Sequence, residues 1–484
     1  MSRTVTSLVL LSIAAATAGC ASSGRFSGQE KAVAPQSLAF QQKAADDGVF
    51  VDGDWPAANW WSVFADPKLD ALVTQALADN PGLHVVEARV RSAADLAQVA
   101  RSALFPTLDF NAAGTRQRAS DNVVAAGDLR GLTVNGARVA LDFNYEFDFW
   151  GRNRDQLKAA LGEVRAADAD KEAARLVLAA AVAQTYFQLQ TDLAAAGVAK
   201  ETLGERAGLR DLNLQRVSRG LQSNIPSRQS DQQVASSRVD VAAADAAVQL
   251  DRHQLAALLG MGPGAALDVE TALTMREQPM PLPTDLPANL LARRADVAAE
   301  RFRVEAAAAR IGVARADFYP NVNLAAFFGL EALQVEGLHL FSSGSRTYGA
   351  TPAIHLPLFE GGRLRANLRG RYDDYDAAVA QYNQTLIDAF RQVADNMVGL
   401  RAVRQQLADQ ADARAAAADA YRLTLDRYRA GLTSYLDVLV NEERLLAERQ
   451  KQVQLQGRSL SLMVEVIRAL GGGYRTPETA SEGT

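Results

Sequence analysis

The chain is organised around one uninterrupted segment, residues 363–430, which reads RLRANLRGRYDDYDAAVAQYNQTLIDAFRQVADNMVGLRAVRQQLADQADARAAAADAYRLTLDRYRA. It contains no proline, and alanine, leucine, arginine, glutamine and aspartate dominate it. At about 1.5 Å of rise per residue, a helix of this length is a rod of roughly 100 Å. A turn between Tyr428 and Tyr435 and a returning helix to Leu470 complete a predicted hairpin. Such a hairpin is longer than a compact domain is wide, so it predicts a coiled coil, a bundle or a tube.

The composition of the 484-residue chain narrows the classes of function. Hydrophobic residues make up 48% but aromatic residues only 7%, so alanine supplies much of the apolar content and favours closely packed helices. The net charge of −5, without a basic stripe, argues against a nucleic-acid partner. The four histidines lie far apart, so we predict no metal site. A Walker-type phosphate loop and a nucleophile elbow are both missing, so we expect no enzyme activity, including ATP hydrolysis.

The N-terminus predicts export from the cytoplasm. A basic start, a short apolar run and small residues before Cys20 are typical of a secretory signal peptide, here residues 1–19. The stretch Thr17-Ala18-Gly19-Cys20 resembles a bacterial lipobox, although threonine stands where leucine is usual. This resemblance implies a covalent S-diacylglycerol and an N-acyl chain on Cys20, and Ser22 in place of aspartate implies the outer membrane. The alternative is ordinary cleavage that leaves a free thiol, which is unusual in an oxidising compartment.

Period-two alternation replaces the helical period after Pro106. Between Val139 and Trp150 apolar and aromatic residues alternate with small, polar and acidic residues, as in a transmembrane β-barrel strand. A half-buried strand of a soluble sheet would give the same alternation. The signal peptide favours the membrane interpretation. We predict strands at about residues 107–115 and 139–150, with an outward-facing polar loop at 116–133.

The second half of the chain repeats the first. Arg101 to Pro106 matches Arg315 to Pro320, and three later landmarks match at an offset of 211 residues, which indicates duplication. Pro352 and Pro357 predict an irregular ladder in the last strand. The predicted organisation begins with a tether at 20–54 and a first repeat at 55–274, which contains a helical hairpin at 152–259. A proline-rich linker at 275–287 leads to a second repeat at 288–473, and a tail follows at 474–484. The second repeat contains strands at about 321–333 and 348–359 and a helical hairpin at 363–470.

Both the strands and the long helix predict an oligomer. Four strands cannot close a barrel, and open sheet edges are not tolerated in lipid, so two copies would give eight strands and three copies twelve. Heptad-like spacing on the long helix predicts an apolar stripe that packs on a neighbour. The residues of this stripe are Tyr372, Tyr375, Val379, Tyr382, Leu386, Ala389 and Val393.

Four stretches carry a family resemblance: Leu291 to Glu300, Ala306 to Pro320, Leu356 to Arg363, and Arg427 to Leu439. On these motifs the chain resembles the TolC-like outer-membrane efflux factors, in particular the lipoprotein subgroup typified by NodT and OprM. The resemblance covers nearly the whole mature chain. It departs at Ala295, where proline is usual, and we expect only a local change in the helix start.

The resemblance implies a mainly α fold with a membrane β part. Each chain of a homotrimer would supply four strands to a 12-stranded outer-membrane β-barrel, which continues into a long periplasmic α-helical barrel. The implied function is the passive exit duct of a tripartite efflux system for small toxic molecules. Its partners would be an inner-membrane proton-driven pump, a periplasmic membrane-fusion adaptor and outer-membrane lipid. Two alternatives remain open: a duct for type I protein secretion, and a non-conducting envelope scaffold lipoprotein.

Two groups of residues at the hairpin turns are candidate functional sites. The first group would dock the adaptor, because glycine permits a sharp turn and an exposed leucine offers an apolar contact. It consists of Gly220, Leu221, Gly431, Leu432 and Ser434. The second group would form a closed aperture that selects cations. It consists of Asp426, Arg427, Tyr428 and Asp437. The alternatives are simple helix caps for the first group and a solvated charged face for the second.

Overall fold

The structure, a computed structural model, describes residues 26–34, 49–122, 131–265, 269, 279–283, 293–334 and 339–476. The predicted signal peptide, Cys20, and most of the predicted linker and tail lie outside these residues. The helices are α1 (Pro67–Asp79), α2 (Pro81–Ser102), α3 (Arg152–Ser218), α4 (Ile225–Leu258), α5 (Ala295–Ala316), α6 (Arg363–Arg429) and α7 (Tyr435–Ala469). The strands are β1 (Phe50–Asp52), β2 (Thr107–Arg118), β3 (Thr133–Phe147), β4 (Met280–Leu282), β5 (Asn321–Gln334) and β6 (Arg346–His355).

The duplication predicted from the sequence is confirmed in the helices. The two long helices α3 and α6 each contain 67 residues, and their first residues, Arg152 and Arg363, are 211 positions apart. The returning helices α4 and α7 contain 34 and 35 residues. None of the helices that the structure describes is long and apolar enough to cross a membrane.

The chain divides into two compact units. Of the described residues, those within 1–32, 89–167 and 300–382 form unit 1, and those within 33–88, 168–299 and 383–484 form unit 2. Unit 1 contains an antiparallel sheet in the order β2-β3-β5-β6, whereas unit 2 contains the short parallel pair β1-β4. Unit 1 therefore holds the long strands, and unit 2 holds the two hairpin turns.

The sheet of unit 1 presents a row of exposed apolar side chains. Phe110 pairs with Leu141, Leu141 with Phe328, and Phe328 with Tyr348, so the row crosses all four strands. Each of these side chains is exposed. A soluble sheet normally covers one face, and a continuous apolar row of this kind marks a surface that avoids water. The outer strands of the sheet, β2 and β6, are exposed along most of their length.

The strand boundaries differ from the prediction at both ends of β3. The strand begins at Thr133 and ends at Phe147, whereas the alternation predicted residues 139–150. It ends early because the carboxylate of Asp148 accepts the backbone N–H groups of Asn153 (3.2 Å) and Arg154 (3.0 Å). The side chain of Asp148 thus caps the first turn of α3, and the chain leaves the sheet at this point. Likewise, β2 continues to Arg118, so the loop is shorter than predicted.

The prolines of the last strand have a smaller effect than predicted. The pairing of β6 with β5 continues without interruption through Pro352, opposite Leu324, so the predicted irregularity there is wrong. β6 lies at an end of the sheet order, and an end strand tolerates a missing N–H group. The strand stops at His355 rather than residue 359, shortly before Pro357.

The N-terminal part of the apolar stripe on α6 has partners within unit 1. Tyr372 packs in a cluster with Ile311, Ala314 and Phe318 near the end of α5. The segment 26–34 covers the same helix, because Phe26 packs against this cluster. The backbone N–H groups of Gln29 (3.0 Å) and Glu30 (3.2 Å) donate to the carboxylate of Asp376. The N-terminal segment, which carried no sequence signal for this contact, is therefore bound along α6.

Unit 2 contains the remainder of the stripe and a buried arginine that joins three segments. Leu386, Ala389 and Val393 are fully buried. Arg294, which immediately precedes α5, donates to the carboxylate of Asp296 (2.6 Å), to Oε1 of Gln392 (3.1 Å) and to the carbonyl of Ala469 (3.1 Å). The last of these bonds satisfies a carbonyl at the C-terminus of α7. α5 begins at Ala295, a first helical position that suits alanine and proline alike.

Candidate functional site

The two hairpin turns of unit 2 have the same backbone structure. Gly220 and Gly431 adopt left-handed φ angles of 67° and 78°. After α3 the N–H of Leu221 donates to the carbonyl of Arg216 (2.9 Å), and after α6 the N–H of Leu432 donates to that of Arg427 (2.9 Å). Both turns are Schellman caps, which favour glycine at the left-handed position because it has no Cβ. Glycine therefore suits both turns for backbone reasons.

The turns leave apolar side chains exposed. Leu221 is 64% exposed and Leu432 is 69% exposed, and Ile225 and Leu436 beside them are exposed as well. Ser434 is engaged differently, because it caps α7 in a capping box with Asp437. Its hydroxyl donates to Oδ2 of Asp437 (2.7 Å) and accepts the Asp437 N–H (3.3 Å). The leucines are thus available to a partner, whereas the side chain of Ser434 is used within the turn.

The four predicted aperture residues do not form one cluster. Asp437 also accepts the hydroxyl of Thr433 (2.6 Å), and the hydrogen bonds from Thr433 and Ser434 hold the pKa of Asp437 below its ordinary value. Asp426 is exposed and pairs with Arg429 (3.5 Å) on the same helix. Arg427 is exposed. Only Tyr428 of the four points into the protein, where it is 3% exposed.

Tyr428 joins the end of α6 to the end of α3. Its hydroxyl lies 2.5 Å from Oδ1 of Asn213 and 2.9 Å from Oε1 of Gln222, and it donates to one of them at a time. The guanidinium of Arg216 lies 4.9 Å from the centre of the Tyr428 ring and donates to the Tyr428 carbonyl (3.2 Å). The ring of Tyr435 packs 5.8 Å away. Burial raises the pKa of Tyr428, so the hydroxyl keeps its proton.

A buried ion pair forms a second connection between the hairpins. Arg206 of α3 donates through Nε to Glu442 of α7 (3.2 Å) and through Nη1 to Ser237 of α4 (3.0 Å). Both charged side chains are almost fully buried. Burial raises the pKa of Glu442, although the positive charge of Arg206 opposes this effect. The two hairpins are therefore held together by buried polar groups as well as by apolar packing.

No sequence signal pointed to Asn213, Arg206 and Glu442, or to the contact between Gln222 and Tyr428. Arg216 was identified only as a repeat landmark that matches Arg427, whereas Gly220 was predicted as a docking residue. Single polar residues in a long amphipathic helix give no signal of their own, because the same residue types also occupy solvated positions. The duplication was the usable signal, since it placed the two turns in equivalent positions.

The sequence matches one known protein family along most of its length. The sequence profile of the family described as "Outer membrane efflux protein" matches residues 72–261 and 286–472. The chain belongs to this family. The two matched segments coincide with the two structural repeats, so this efflux protein is internally duplicated. Its family role is outward transport across the outer membrane.

Individual relatives and solved structures are similar over most of the chain. The multidrug resistance outer membrane protein MdtP of Shigella flexneri is 31% identical over 489 residues, which cover 98% of each chain. The fusaric acid resistance protein FusA of Burkholderia cepacia is 36% identical over 370 residues, 75% of this chain and 68% of FusA. The outer membrane protein VceC of Vibrio cholerae has a similar crystal structure, with a TM-score of 0.80, 36% identity, and coverage of 87% of this chain and 100% of VceC.

The efflux protein shows no metal centre in the part of the chain that the structure describes. Among those residues, no group of three or more His, Cys, Asp or Glu side chains is placed to hold an ion.

Proposed function

We propose that this efflux protein is the passive exit duct of a tripartite system that expels small toxic molecules. An inner-membrane proton-driven pump and a periplasmic membrane-fusion adaptor would deliver the cargo. The observation that carries this proposal is the exposed apolar row across the four strands of unit 1, in a chain of the outer membrane efflux family. Such a row suits contact with lipid acyl chains.

The open ends of the sheet support a homotrimer. β2 and β6 are the outer strands of the sheet order, and an unpaired strand end in lipid leaves backbone groups without hydrogen bonds. Pairing of β2 in one copy with β6 in the next satisfies both strands. Three copies then form the 12-stranded barrel expected from the family resemblance.

The N-terminal segment supports lipid anchoring at Cys20. Phe26 packs on the cluster that contains Leu364 and Leu368, in the first two turns of α6. Five residues lie between Cys20 and Phe26, so an extended chain separates the two by at most about 20 Å. The start of α6 follows β6 after seven residues, so an acyl chain on Cys20 would be within reach of the inner leaflet of the outer membrane.

The hairpin turns would contact the adaptor and control the aperture. Leu221 and Leu432 offer apolar contacts next to Gly220 and Gly431, whereas Ser434 shapes the turn. Asp426 and Arg427 remain candidates for the aperture lining, and Asp437 would support it as part of the capping box. Tyr428 would hold the closed state through its buried hydrogen bond to Asn213.

Single-channel recording tests the duct directly. We expect purified full-length protein in planar bilayers to pass ions in discrete steps, with the Tyr428→Phe variant conducting more than the unaltered protein. Inserted trimers that pass no current in either form would reject the duct and favour a scaffold. If the trimers conduct but deletion of the gene leaves the drug susceptibility of the cells unchanged, protein secretion would be favoured.

A further inference from the structure

Two aspartates of the first hairpin lie at the same level. Asp192 is 26 residues before the end of α3 at Ser218, and Asp251 is 26 residues after the start of α4 at Ile225. Equal separation from the turn places two residues side by side in an antiparallel hairpin, here about 39 Å from the turn. The side chain of Asp251 is accordingly within hydrogen-bond reach of Asp192.

One carboxylate oxygen of this contact has no hydrogen-bond donor among the residues that the structure describes. Oδ2 of Asp251 is buried and has no partner. Asp192 accepts a hydrogen bond from Nε2 of Gln188 (3.2 Å). The next residue of α4, Arg252, directs its guanidinium to the carbonyl of Val269 (3.4 Å), and His253 after it is exposed. Since two carboxylates only accept hydrogen bonds, the contact requires a proton on one of them.

The second hairpin uses an apolar contact at the same place. At the repeat offset of 211 residues, Asp192 corresponds to Val403 and Asp251 corresponds to Leu462. Val403 is fully buried in a cluster with Leu407 and Leu455, and Leu462 packs against this cluster. The fold therefore does not need acidic side chains here, and the carboxyl pair distinguishes the first hairpin from the second.

The electrostatic environment of the two aspartates makes the stability of the first hairpin depend on pH. Burial, and then the hydrogen bond and charge of Asp192, raise the pKa of Asp251 from 3.8 to about 7. A group with a raised pKa in the folded state stabilises the fold most below its unfolded pKa. This contribution is lost as the pH rises through the folded value. The hairpin thus loses stability between acidic and mildly alkaline conditions.

We propose that Asp192 and Asp251 form a proton-sharing joint, which holds α3 against α4 in acidic medium and loosens in alkaline medium. Loss of the proton leaves two facing negative charges and a buried oxygen without a donor. The helices respond by opening locally and admitting water. The second hairpin, with Val403 and Leu462, keeps its contact at all pH values. The aspartate pair therefore makes only the first of the two hairpins pH-sensitive.

Amide hydrogen exchange of the full-length protein in detergent tests the joint. Protection factors, corrected for intrinsic exchange, are compared at about pH 5.5 and about pH 8.5. We expect protection of peptides within residues 185–199 and 244–258 to fall by about tenfold at the higher pH. Peptides within residues 396–410 and 455–469 are the internal control and should not change. Equal protection of the first hairpin at both pH values would overturn the proposal.

Substitutions separate proton sharing from general alkaline loosening. Asp251→Asn places an amide donor opposite Asp192, so its hairpin should stay protected at both pH values. The double substitution Asp192→Val, Asp251→Leu copies the second hairpin and should also remove the pH dependence. Asp192→Asn serves if either of these variants fails to fold. A tenfold fall in protection that persists in a folded variant would reject the joint. Suppression of this fall by millimolar Ca²⁺ in the unaltered protein would also reject it, because it would indicate a cation site.

Discussion

The hydroxyl of Tyr428 lies 2.5 Å from Oδ1 of Asn213, and this contact joins the last turn of α6 to α3. Asn213 is fully buried, and it also lies next to Gln222 in the first hairpin turn. Tyr428 and Asn213 are 215 positions apart in the chain. The hydrogen bond therefore depends entirely on the packing of one repeat on the other.

Removal of the Tyr428 hydroxyl should weaken the closed state. In Tyr428→Phe the amide of Asn213 loses a buried partner, which costs about 1–3 kcal/mol. We expect a higher open probability in planar bilayers, with trimer formation unchanged. Tyr348→Phe, which removes an exposed hydroxyl in β6, is the matched control and should behave like the unaltered protein. Identical gating of both variants would show that the hydrogen bond has no role in closure.

A charge at the second turn should prevent adaptor docking without unfolding the protein. Leu432 is 69% exposed, so Leu432→Lys should change the stability by less than about 0.5 kcal/mol. We expect loss of drug resistance and of crosslinking to the adaptor, with normal amounts of trimer. Leu250→Lys is the control, because Leu250 is 67% exposed on α4 but distant in sequence from the turn. Full resistance in the Leu432 variant would remove this turn from the docking surface.

Loss of one partner of the buried ion pair should strongly destabilise the helices. Arg206 and Glu442 are 6% and 2% exposed, so Arg206→Ala leaves a buried carboxylate without its partner. We expect a loss of about 3–5 kcal/mol in chemical unfolding, whereas Arg206→Met with Glu442→Leu should lose far less. Arg228→Ala removes an exposed charge of a surface pair and should cost less than about 1 kcal/mol. Equal losses in Arg206→Ala and the double variant would mean that packing, not charge, governs this position.

The N-terminal segment should detach when its anchor on α6 is removed. Asp376 accepts the N–H groups of Gln29 and Glu30, and Asp376→Ala leaves both without a partner. We expect faster proteolytic cleavage within residues 26–34 of the purified protein, measured by mass spectrometry. Asp373→Ala, an exposed position one turn earlier on α6, is the control. Unchanged cleavage in Asp376→Ala would show that the contact of Phe26 alone holds the segment.

Some features of the site were predictable and others were not. Gly220 and Gly431 could be located from the sequence, because a left-handed helix cap restricts the residue type strongly. The function of Asp437 was not recognisable, since an aspartate three residues after a serine serves equally as a helix cap or as a charged lining. Tyr428 was selected as an aperture residue, but its partners required coordinates.

The length of the helices, the duplication, the apolar alternation of the strands and the family can all be read from the amino-acid sequence. These properties repeat over many residues, so each is supported by many side chains at once. The neighbours that pack against these elements are known only from the folded chain. The stripe on α6 required a partner, but the packing assigned α5 and the N-terminal segment to Tyr372. The pairs Tyr428–Asn213, Arg206–Glu442 and Asp192–Asp251 likewise depend on helix rotation and level, which a one-dimensional pattern does not specify to within a hydrogen-bond distance.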